Sequence, residues 1–158
     1  MDKHEWYMAI AETVSLKSPD EETKVGSILV NKKTGAVIAT GFNGFVRGAP
    51  DAFLPKIRPQ KHDYMVHSEI NLIANCAKHG ISMDECIIYC TLSPCVNCMR
   101  ALYQAGIEAV VVKDLYKDFD QLKDLRDLTI ESSKLKNTGF TLLKYYPLSI
   151  NGGEKNVD

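Results

Sequence analysis

The fold is organised around two stretches of sequence, Val66-His67-Ser68-Glu69 and Ser93-Pro94-Cys95-Val96-Asn97-Cys98. Each stretch lies at the predicted start of a helix. His67, Cys95 and Cys98 supply one imidazole and two thiolates, which are ligands that Zn²⁺ prefers. A zinc ion with three protein ligands keeps its fourth tetrahedral position open for water, as catalytic sites do. Glu69 lies two residues beyond the histidine, where it could exchange protons with that water.

The cysteines alone are also compatible with sites other than a catalytic metal centre. A Cys-x-x-Cys pair alone also occurs in redox sites and in structural zinc sites. A structural zinc knuckle would need a fourth protein ligand, and none lies near the motif in the sequence. Cys76, Cys86 and Cys90 fall on a predicted helix and strand, and we expect them to be buried as small hydrophobic side chains.

Length, charge and cysteine count limit the classes of protein that remain. The 158 residues suit one domain, predicted over residues 1–158 with a loose tail from about residue 147. The net charge of −1 argues against a nucleic-acid partner. We find neither an apolar run of membrane-spanning length nor a signal peptide. Five cysteines, an odd count, indicate reduced thiols in a cytoplasmic protein, in the host cytoplasm if the protein is viral.

The hydrophobic pattern predicts a sheet between layers of helices. Helices are predicted over residues 2–16, 66–78, 95–105 and 119–135, the last with leucines at 122, 125 and 128 facing the core. Strands are predicted over residues 24–31, 36–42, 85–91, 108–112 and 139–145, and the first two form a hairpin. This order predicts an α/β fold, a three-layer α/β/α sandwich with a five-stranded mixed sheet. We expect parallel, right-handed crossovers after the hairpin.

The segment from residue 43 to about residue 64 interrupts the pattern with glycines and prolines. Its charges lean basic, with Arg47, Lys56, Arg58 and Lys61. Such a long irregular segment is uncommon in a compact domain unless it is functional or disordered. It is therefore interpreted either as a solvated surface loop or as a lid that faces a phosphate.

With these residues in place, the chain resembles the deoxycytidylate (dCMP) deaminases of the cytidine deaminase superfamily. His-x-Glu followed by Pro-Cys-x-x-Cys is the pattern of zinc-dependent nucleobase deaminases. The resemblance extends from residue 24 to about residue 147 and includes residues 25–30, 41–44, 66–71 and 89–98. Residues 41–44, Gly-Phe-Asn-Gly, resemble the family's Gly-Tyr-Asn-Gly.

The resemblance implies hydrolysis of dCMP to dUMP and ammonia, which supplies dUMP for dTTP synthesis. Glu69 would be the catalytic residue beside one catalytic Zn²⁺ per subunit. Asn43 would bind the sugar, and the main-chain N–H of Ser68, where the family has alanine, would meet the pyrimidine carbonyl. Ser93 and Tyr116 are further candidates for contact with the substrate, Tyr116 through its phosphate.

The resemblance also implies regulation and assembly. Many members are homo-hexamers that dCTP activates and dTTP inhibits, with Mg²⁺ accompanying the triphosphate. The candidate allosteric or phosphate-binding residues are Phe42, Gly44, Arg47 and Lys61. The expected partners are thus small nucleotides and further copies of the chain, with neither nucleic acid nor membrane.

Three alternatives stay open from the sequence. A tRNA adenosine deaminase shares the metal motif, but such proteins favour glutamate where this chain has Ser93 and tend to be basic. A deaminase of a free base, of cytidine or of dCTP is a closer alternative. A catalytically silent zinc protein, used for assembly or nucleotide sensing, is the third, and the presence of Glu69 argues against it.

Overall fold

The computed structural model describes residues 1–117, 119 and 127–148. Within these residues the α-helices are Lys3–Ser15 (α1), Ser68–His79 (α2) and Val96–Gln104 (α3). The strands are Gly26–Val30 (β1), Val37–Phe42 (β2), Ile87–Leu92 (β3), Ala109–Asp114 (β4), Leu128–Lys134 (β5) and Thr141–Pro147 (β6). Two short 3₁₀ helices, Asp51–Phe53 and Gln60–Asp63, lie in the irregular segment. No described helix has the length and apolar character needed to cross a membrane.

The described strands form one mixed sheet in the order β2-β1-β3-β4-β6-β5. β3 and β4 are parallel and are connected through α3, which confirms the predicted parallel crossover at this point. The same expectation is wrong for the last strand, because β6 pairs antiparallel with β4. The reversal follows from β5, which precedes β6 and pairs with it as an antiparallel neighbour.

The helix predicted over residues 119–135 is wrong in its second half, where the chain forms β5. The register with β6 runs from Leu128 opposite Pro147 to Lys134 opposite Thr141. Buried residues alternate with more exposed ones at the start of β5, which is the period of a strand. The leucine spacing at 122, 125 and 128 had suggested a helix, and residues 120–126 lie outside the described part of the chain. The sheet therefore has six strands among the described residues, and the predicted count of five is wrong.

The two faces of the sheet are covered by different helices, which confirms the predicted α/β/α sandwich. On one face, Ile28, Tyr89 and Val111 pack with Met8 and Ala11 of α1. On the other face, the alternate strand residues Leu29, Ile88, Cys90 and Val110 pack with Leu72 of α2 and with Met99 and Leu102 of α3. Burial on both faces explains why these strands are almost wholly apolar.

The first turn of α2 lies close against β1 and β2. A Cβ atom at Gly41 would lie 2.4 Å from the carbonyl oxygen of Ser68 and 2.7 Å from the main-chain nitrogen of Leu72. Glycine is therefore the residue that allows this approach. The hydroxyl groups of Ser27 and Ser68 lie 2.7 Å apart, and Ser68 also donates to the carbonyl oxygen of Gly41 at 3.0 Å. These contacts fix the turn that carries the first sequence motif.

Candidate functional site

The starts of α2 and α3 bring the three predicted metal ligands together. His67 is the N-cap residue of α2, Cys95 is the N-cap residue of α3, and Cys98 lies in the first turn of α3. Their ligand atoms all lie within 4.8 Å of one another. His67 Nδ1 is 3.5 Å from Cys95 Sγ and 3.4 Å from Cys98 Sγ.

The spacing of these atoms fits a tetrahedral zinc ion. Bonds of about 2.3 Å to sulfur and about 2.0 Å to nitrogen, at a tetrahedral angle, separate the two donor atoms by about 3.5 Å. The observed separations match that edge. One imidazole and two sulfurs are also the soft donors that zinc accepts. His67, Cys95 and Cys98 therefore form a candidate metal centre.

Hydrogen bonds among the three candidate ligands shift their pKa values. A hydrogen bond from Cys98 lowers the pKa of the Cys95 thiol to about 4, and the His67 imidazole favours the same thiolate. The pairing with Cys95 raises the pKa of Cys98, and a hydrogen bond to Cys95 raises the pKa of His67. Ligands bind a metal as neutral imidazole and thiolate, so binding of a divalent cation would displace these protons.

Glu69 lies beside the ligands in the first turn of α2 and is 4% exposed. A helix N-terminus favours a carboxylate at this position. Its Oε1 accepts a hydrogen bond from the thiol of Cys90 at 2.9 Å. A carboxylate buried beside a candidate metal centre lies where it can transfer protons to and from a reacting group.

A cavity of about 300 Å³ opens in front of the ligands. Its volume is at the lower end of the range for small-molecule sites. The predicted substrate residues Asn43, Ser68, Ser93 and Tyr116 all line it, together with Glu69. The other lining residues are Asp20, Thr23, Val25, Arg58, Lys61, His62, Met65, His67, Leu92, Pro94 and Cys95. The structure thus brings two of the candidate metal ligands, His67 and Cys95, and the predicted substrate residues to one cavity.

Ser93 and Tyr116 form the part of the wall that follows β3 and β4. The main-chain N–H of Tyr116 donates to the Ser93 hydroxyl at 2.7 Å. The Ser93 N–H donates in turn to the carbonyl oxygen of Asp114 at 2.9 Å. Tyr116 is 40% exposed, so its ring stands at the opening of the cavity.

Asn43 is held in the cavity wall by hydrogen bonds to the chain before β1. Its Oδ1 accepts from the Val25 N–H at 2.8 Å. Its Nδ2 donates to the carbonyl oxygen of Thr23 at 2.9 Å and, more weakly, to Asp20 Oδ2 at 3.4 Å. An amide oxygen has two lone pairs, so Oδ1 keeps the capacity to accept a further hydrogen bond.

Lys61 lies in the same wall and is paired with carboxylates. Its Nζ donates to both oxygens of Asp20 and lies 3.2 Å from Glu22 Oε1. Hydrogen bonds from Thr23, Lys61 and Glu22 outweigh the effect of burial and lower the pKa of Asp20. Asp20 was missed from the sequence, where Ser18-Pro19-Asp20 indicated only the end of a helix. In the sequence, the available signal for this ion pair was the carboxylate of Asp20 directly after the turn. Its partner, Lys61, lies 41 residues further along the chain, so a local pattern does not reveal the pair.

The other basic residues of the irregular segment have different positions. Arg58 lines the cavity and pairs with Glu22 at 3.2 Å. Lys56 donates to the carbonyl oxygens of Asp51 and Leu54, and it does not belong to the cavity lining. This segment is therefore partly cavity wall and partly surface loop.

The remaining candidate regulatory residues lie outside the cavity lining. Phe42 ends β2, and Gly44 forms an isolated antiparallel bridge with Val66. Arg47 donates to the side chain of Asn75 on α2 at 3.1 Å. Of the four predicted allosteric or phosphate-binding residues, only Lys61 lines the cavity.

Comparison with known proteins identifies relatives of this chain. Residues 1–114 match the family model described as the cytidine and deoxycytidylate deaminase zinc-binding region. The chain is 36% identical over 114 residues to a probable deoxycytidylate deaminase of Caenorhabditis elegans. That match covers 70% of this chain and 56% of the worm protein, so the chain spans little more than half of that relative.

Two further relatives are matched over more of their length. The chain is 31% identical over 150 residues to the human deoxycytidylate deaminase, covering 90% of this chain and 79% of the human protein. The crystal structure of the dCMP deaminase from the cyanophage S-TIM5, in complex with dCMP and dUMP, is similar with a TM-score of 0.65 and 29% identity. That similarity covers 76% of this chain and 88% of the phage chain.

Proposed function

The chain belongs to the cytidine and deoxycytidylate deaminase family, and from this premise we propose that it hydrolyses dCMP to dUMP and ammonia. The observation that carries the proposal is the buried carboxylate of Glu69 beside the His67, Cys95 and Cys98 cluster, at a cavity of about 300 Å³. Relatives named deoxycytidylate deaminases, and a phage relative in complex with dCMP and dUMP, support the substrate. A zinc ion held by the three ligands would supply a water whose pKa is lowered to about 7.

Glu69 is the proton carrier in this reaction. Its carboxylate takes a proton from the attacking water and delivers it to the ring nitrogen beside the reacting carbon. The water oxygen bonds to that carbon and becomes the carbonyl oxygen of dUMP. Glu69 then passes the second water proton to the amine, the carbon–nitrogen bond breaks, and ammonia leaves. One carboxylate therefore acts first as base and then as acid.

Residues around the cavity bind and orient the nucleotide. Asn43 Oδ1 accepts from a sugar hydroxyl, because its hydrogen bond from Val25 leaves a lone pair available. The Ser68 N–H, in the first turn of α2, donates to the pyrimidine carbonyl. Ser93 and Tyr116 line the substrate side of the cavity.

For the phosphate we favour Arg58 over the other basic residues of its segment. Arg58 lines the cavity, and a guanidinium group forms charge-assisted hydrogen bonds with phosphate oxygens. Lys61 also lines the cavity, but it is buried between Asp20 and Glu22, whereas the side chain of Arg58 is about half exposed and, among the described residues, pairs with Glu22 alone. Tyr116, at the opening of the cavity, can add a hydroxyl contact to the same phosphate.

Assembly and regulation are part of the proposal, on the strength of the family resemblance. We propose a cytoplasmic homo-hexamer that dCTP activates and dTTP inhibits, with Mg²⁺ accompanying the triphosphate. The position of Phe42, Gly44 and Arg47 outside the cavity lining supports an effector site separate from the substrate. Sedimentation velocity and dCMP turnover, each with and without dCTP and Mg²⁺, test this. A monomer whose turnover ignores both triphosphates would contradict it.

The substrate is tested by ultraviolet absorbance with dCMP, cytidine and dCTP at equal concentrations. We expect the absorbance of dCMP to fall fastest, because a monophosphate meets the basic part of the cavity wall and fits its volume. No change with dCMP would contradict the proposed substrate. A faster change with cytidine or dCTP would instead assign the chain to a deaminase of that nucleoside or nucleotide.

A further inference from the structure

Cys90 contacts the carboxylate of Glu69 from within the core. Its Sγ donates to Oε1 at 2.9 Å, its side chain is 0% exposed, and it belongs to the apolar cluster between the sheet and α2. It does not belong to the cavity lining. Its thiol therefore reaches the carboxylate without occupying the space that a substrate would use.

A buried carboxylate oxygen needs a hydrogen-bond donor to offset the loss of water. Among the described residues Cys90 supplies this donor to Oε1. A thiol donates only while it keeps its proton, and burial raises the pKa of Cys90. Cys90 therefore keeps the proton that it donates to Oε1.

The contact has a consequence for the orientation of Glu69. The terminal torsion of a glutamate side chain is broad, so packing of the methylene groups leaves the carboxylate plane free to turn. A hydrogen bond to one oxygen selects one orientation of that plane. With Oε1 held by Cys90, the other oxygen is the one available to the cavity. Misplacement of a reacting group by about 1 Å can cost roughly a hundredfold in rate.

The position of Cys90 on β3 links this contact to the metal ligands. β3 ends at Leu92, and the chain then passes through Ser93 and Pro94 to Cys95. Cys90 and the metal-binding turn are therefore placed by the same strand. Cys90 and the two cysteine ligands therefore come from one continuous stretch of chain, from β3 to the first turn of α3.

We propose that Cys90 is a positioning residue for the carboxylate of Glu69: its thiol holds Oε1 so that the second oxygen faces the reacting atoms. This inference rests on the proposed function, because the proton-carrying role of Glu69 does. It assigns to a buried cysteine a part in the reaction that its sequence position alone did not indicate.

The test compares two substitutions at Cys90 that differ in whether a hydrogen-bond donor remains. Cys90→Val removes the donor, whereas Cys90→Ser keeps one. In Cys90→Val we expect kcat for dCMP to fall roughly tenfold with KM little changed, as for loss of one positioning hydrogen bond. Cys90→Ser should retain kcat within about threefold of wild type. Cys76→Val alters another buried thiol of the same cluster and is the control, with kcat expected to match wild type.

Zinc content and melting temperature, measured for each variant, separate positioning from a merely structural role. The inference is overturned if Cys90→Val keeps wild-type kcat, if Cys90→Ser loses as much as Cys90→Val, or if the loss follows zinc content. An inactive wild-type protein would instead count against the proposed function.

A spectroscopic measurement tests the contact without changing Cys90. The infrared S–H stretch of wild type should contain a band that moves to higher frequency in Glu69→Gln, because an amide oxygen is a weaker acceptor than a carboxylate. This readout applies even if Cys90→Val does not fold or if dCMP is not the substrate. An S–H spectrum unchanged by Glu69→Gln would overturn the contact itself.

Discussion

Asp20 accepts two hydrogen bonds from the ammonium group of Lys61, at 2.9 and 3.1 Å, within the wall of the candidate site. Both side chains are buried, with 4% and 6% exposure. Asp20 also accepts from the N–H groups of Glu22 and Thr23 and from the side-chain amide of Asn43. This carboxylate therefore ties the irregular segment to the chain before β1 and orients a predicted substrate residue.

Removing the charge of Lys61 should destabilise the fold. Lys61→Met keeps most of the side-chain volume but leaves Asp20 buried without its cation. Breaking a buried ion pair on one side costs about 3–5 kcal/mol, and the free energy of unfolding should fall by that amount in urea denaturation. Lys33→Met, at an exposed position, is the control and should change stability by less than about 0.5 kcal/mol. Equal stability of Lys61→Met and wild type would show that the pair contributes nothing.

Acid should remove the stabilisation that Asp20 provides. Burial alone would raise its pKa, but hydrogen bonds from Thr23, Lys61 and Glu22 lower it below the ordinary value. In the unfolded chain the pKa of an aspartate is about 3.9, and in the folded protein the pKa of Asp20 is lower. The ionised carboxylate therefore stabilises the fold above the unfolded-state pKa, and this stabilisation is lost as the pH falls through the folded-state pKa. The stability difference between wild type and Asp20→Asn, measured in urea, should thus be constant near neutral pH and shrink below about pH 4. A difference that stays constant into acid would contradict this assignment.

The hydroxyl pair of Ser27 and Ser68 should show energetic coupling. Both side chains are buried, at 0% and 1% exposure, and their oxygens lie 2.7 Å apart. Ser27→Ala or Ser68→Ala alone removes this hydrogen bond while the remaining hydroxyl keeps the Gly41 carbonyl oxygen as acceptor, at a cost of about 0.5–1.5 kcal/mol. The double substitution removes both hydroxyls and should cost about 1 kcal/mol less than the sum of the single changes. Strict additivity of the three unfolding free energies would contradict the coupling.

The part of the site that the sequence predicted is the part that depends on local spacing. Cys95 and Cys98 share the first turn of one helix, and His67 and Glu69 begin another, so short motifs were sufficient to select them. The structure brings the three metal ligands together and places Asn43, Ser68, Ser93 and Tyr116 around one cavity.

The contacts that the sequence did not reveal join distant positions. Cys90 and Glu69 are 21 residues apart and meet only because β3 presents its alternate side chains to α2. Asp20 and Lys61 are 41 residues apart and meet through the course of an irregular segment. The sequence predicts helix where β5 forms, because the leucines spaced by three run into Leu128, the first residue of a strand whose identity depends on pairing with β6. In each case tertiary contact, absent from any local pattern, decides the structure.

The central claim is that Glu69 carries protons beside a zinc ion held by His67, Cys95 and Cys98. Its most direct test measures zinc content and dCMP turnover together, in wild type and in Glu69→Gln. We expect both proteins to hold about one zinc per chain, and we expect Glu69→Gln to lose roughly a thousandfold or more in kcat, as expected for loss of a general acid–base group. Wild-type protein that deaminates dCMP without bound metal, or Glu69→Gln that turns over at the wild-type rate, would contradict it.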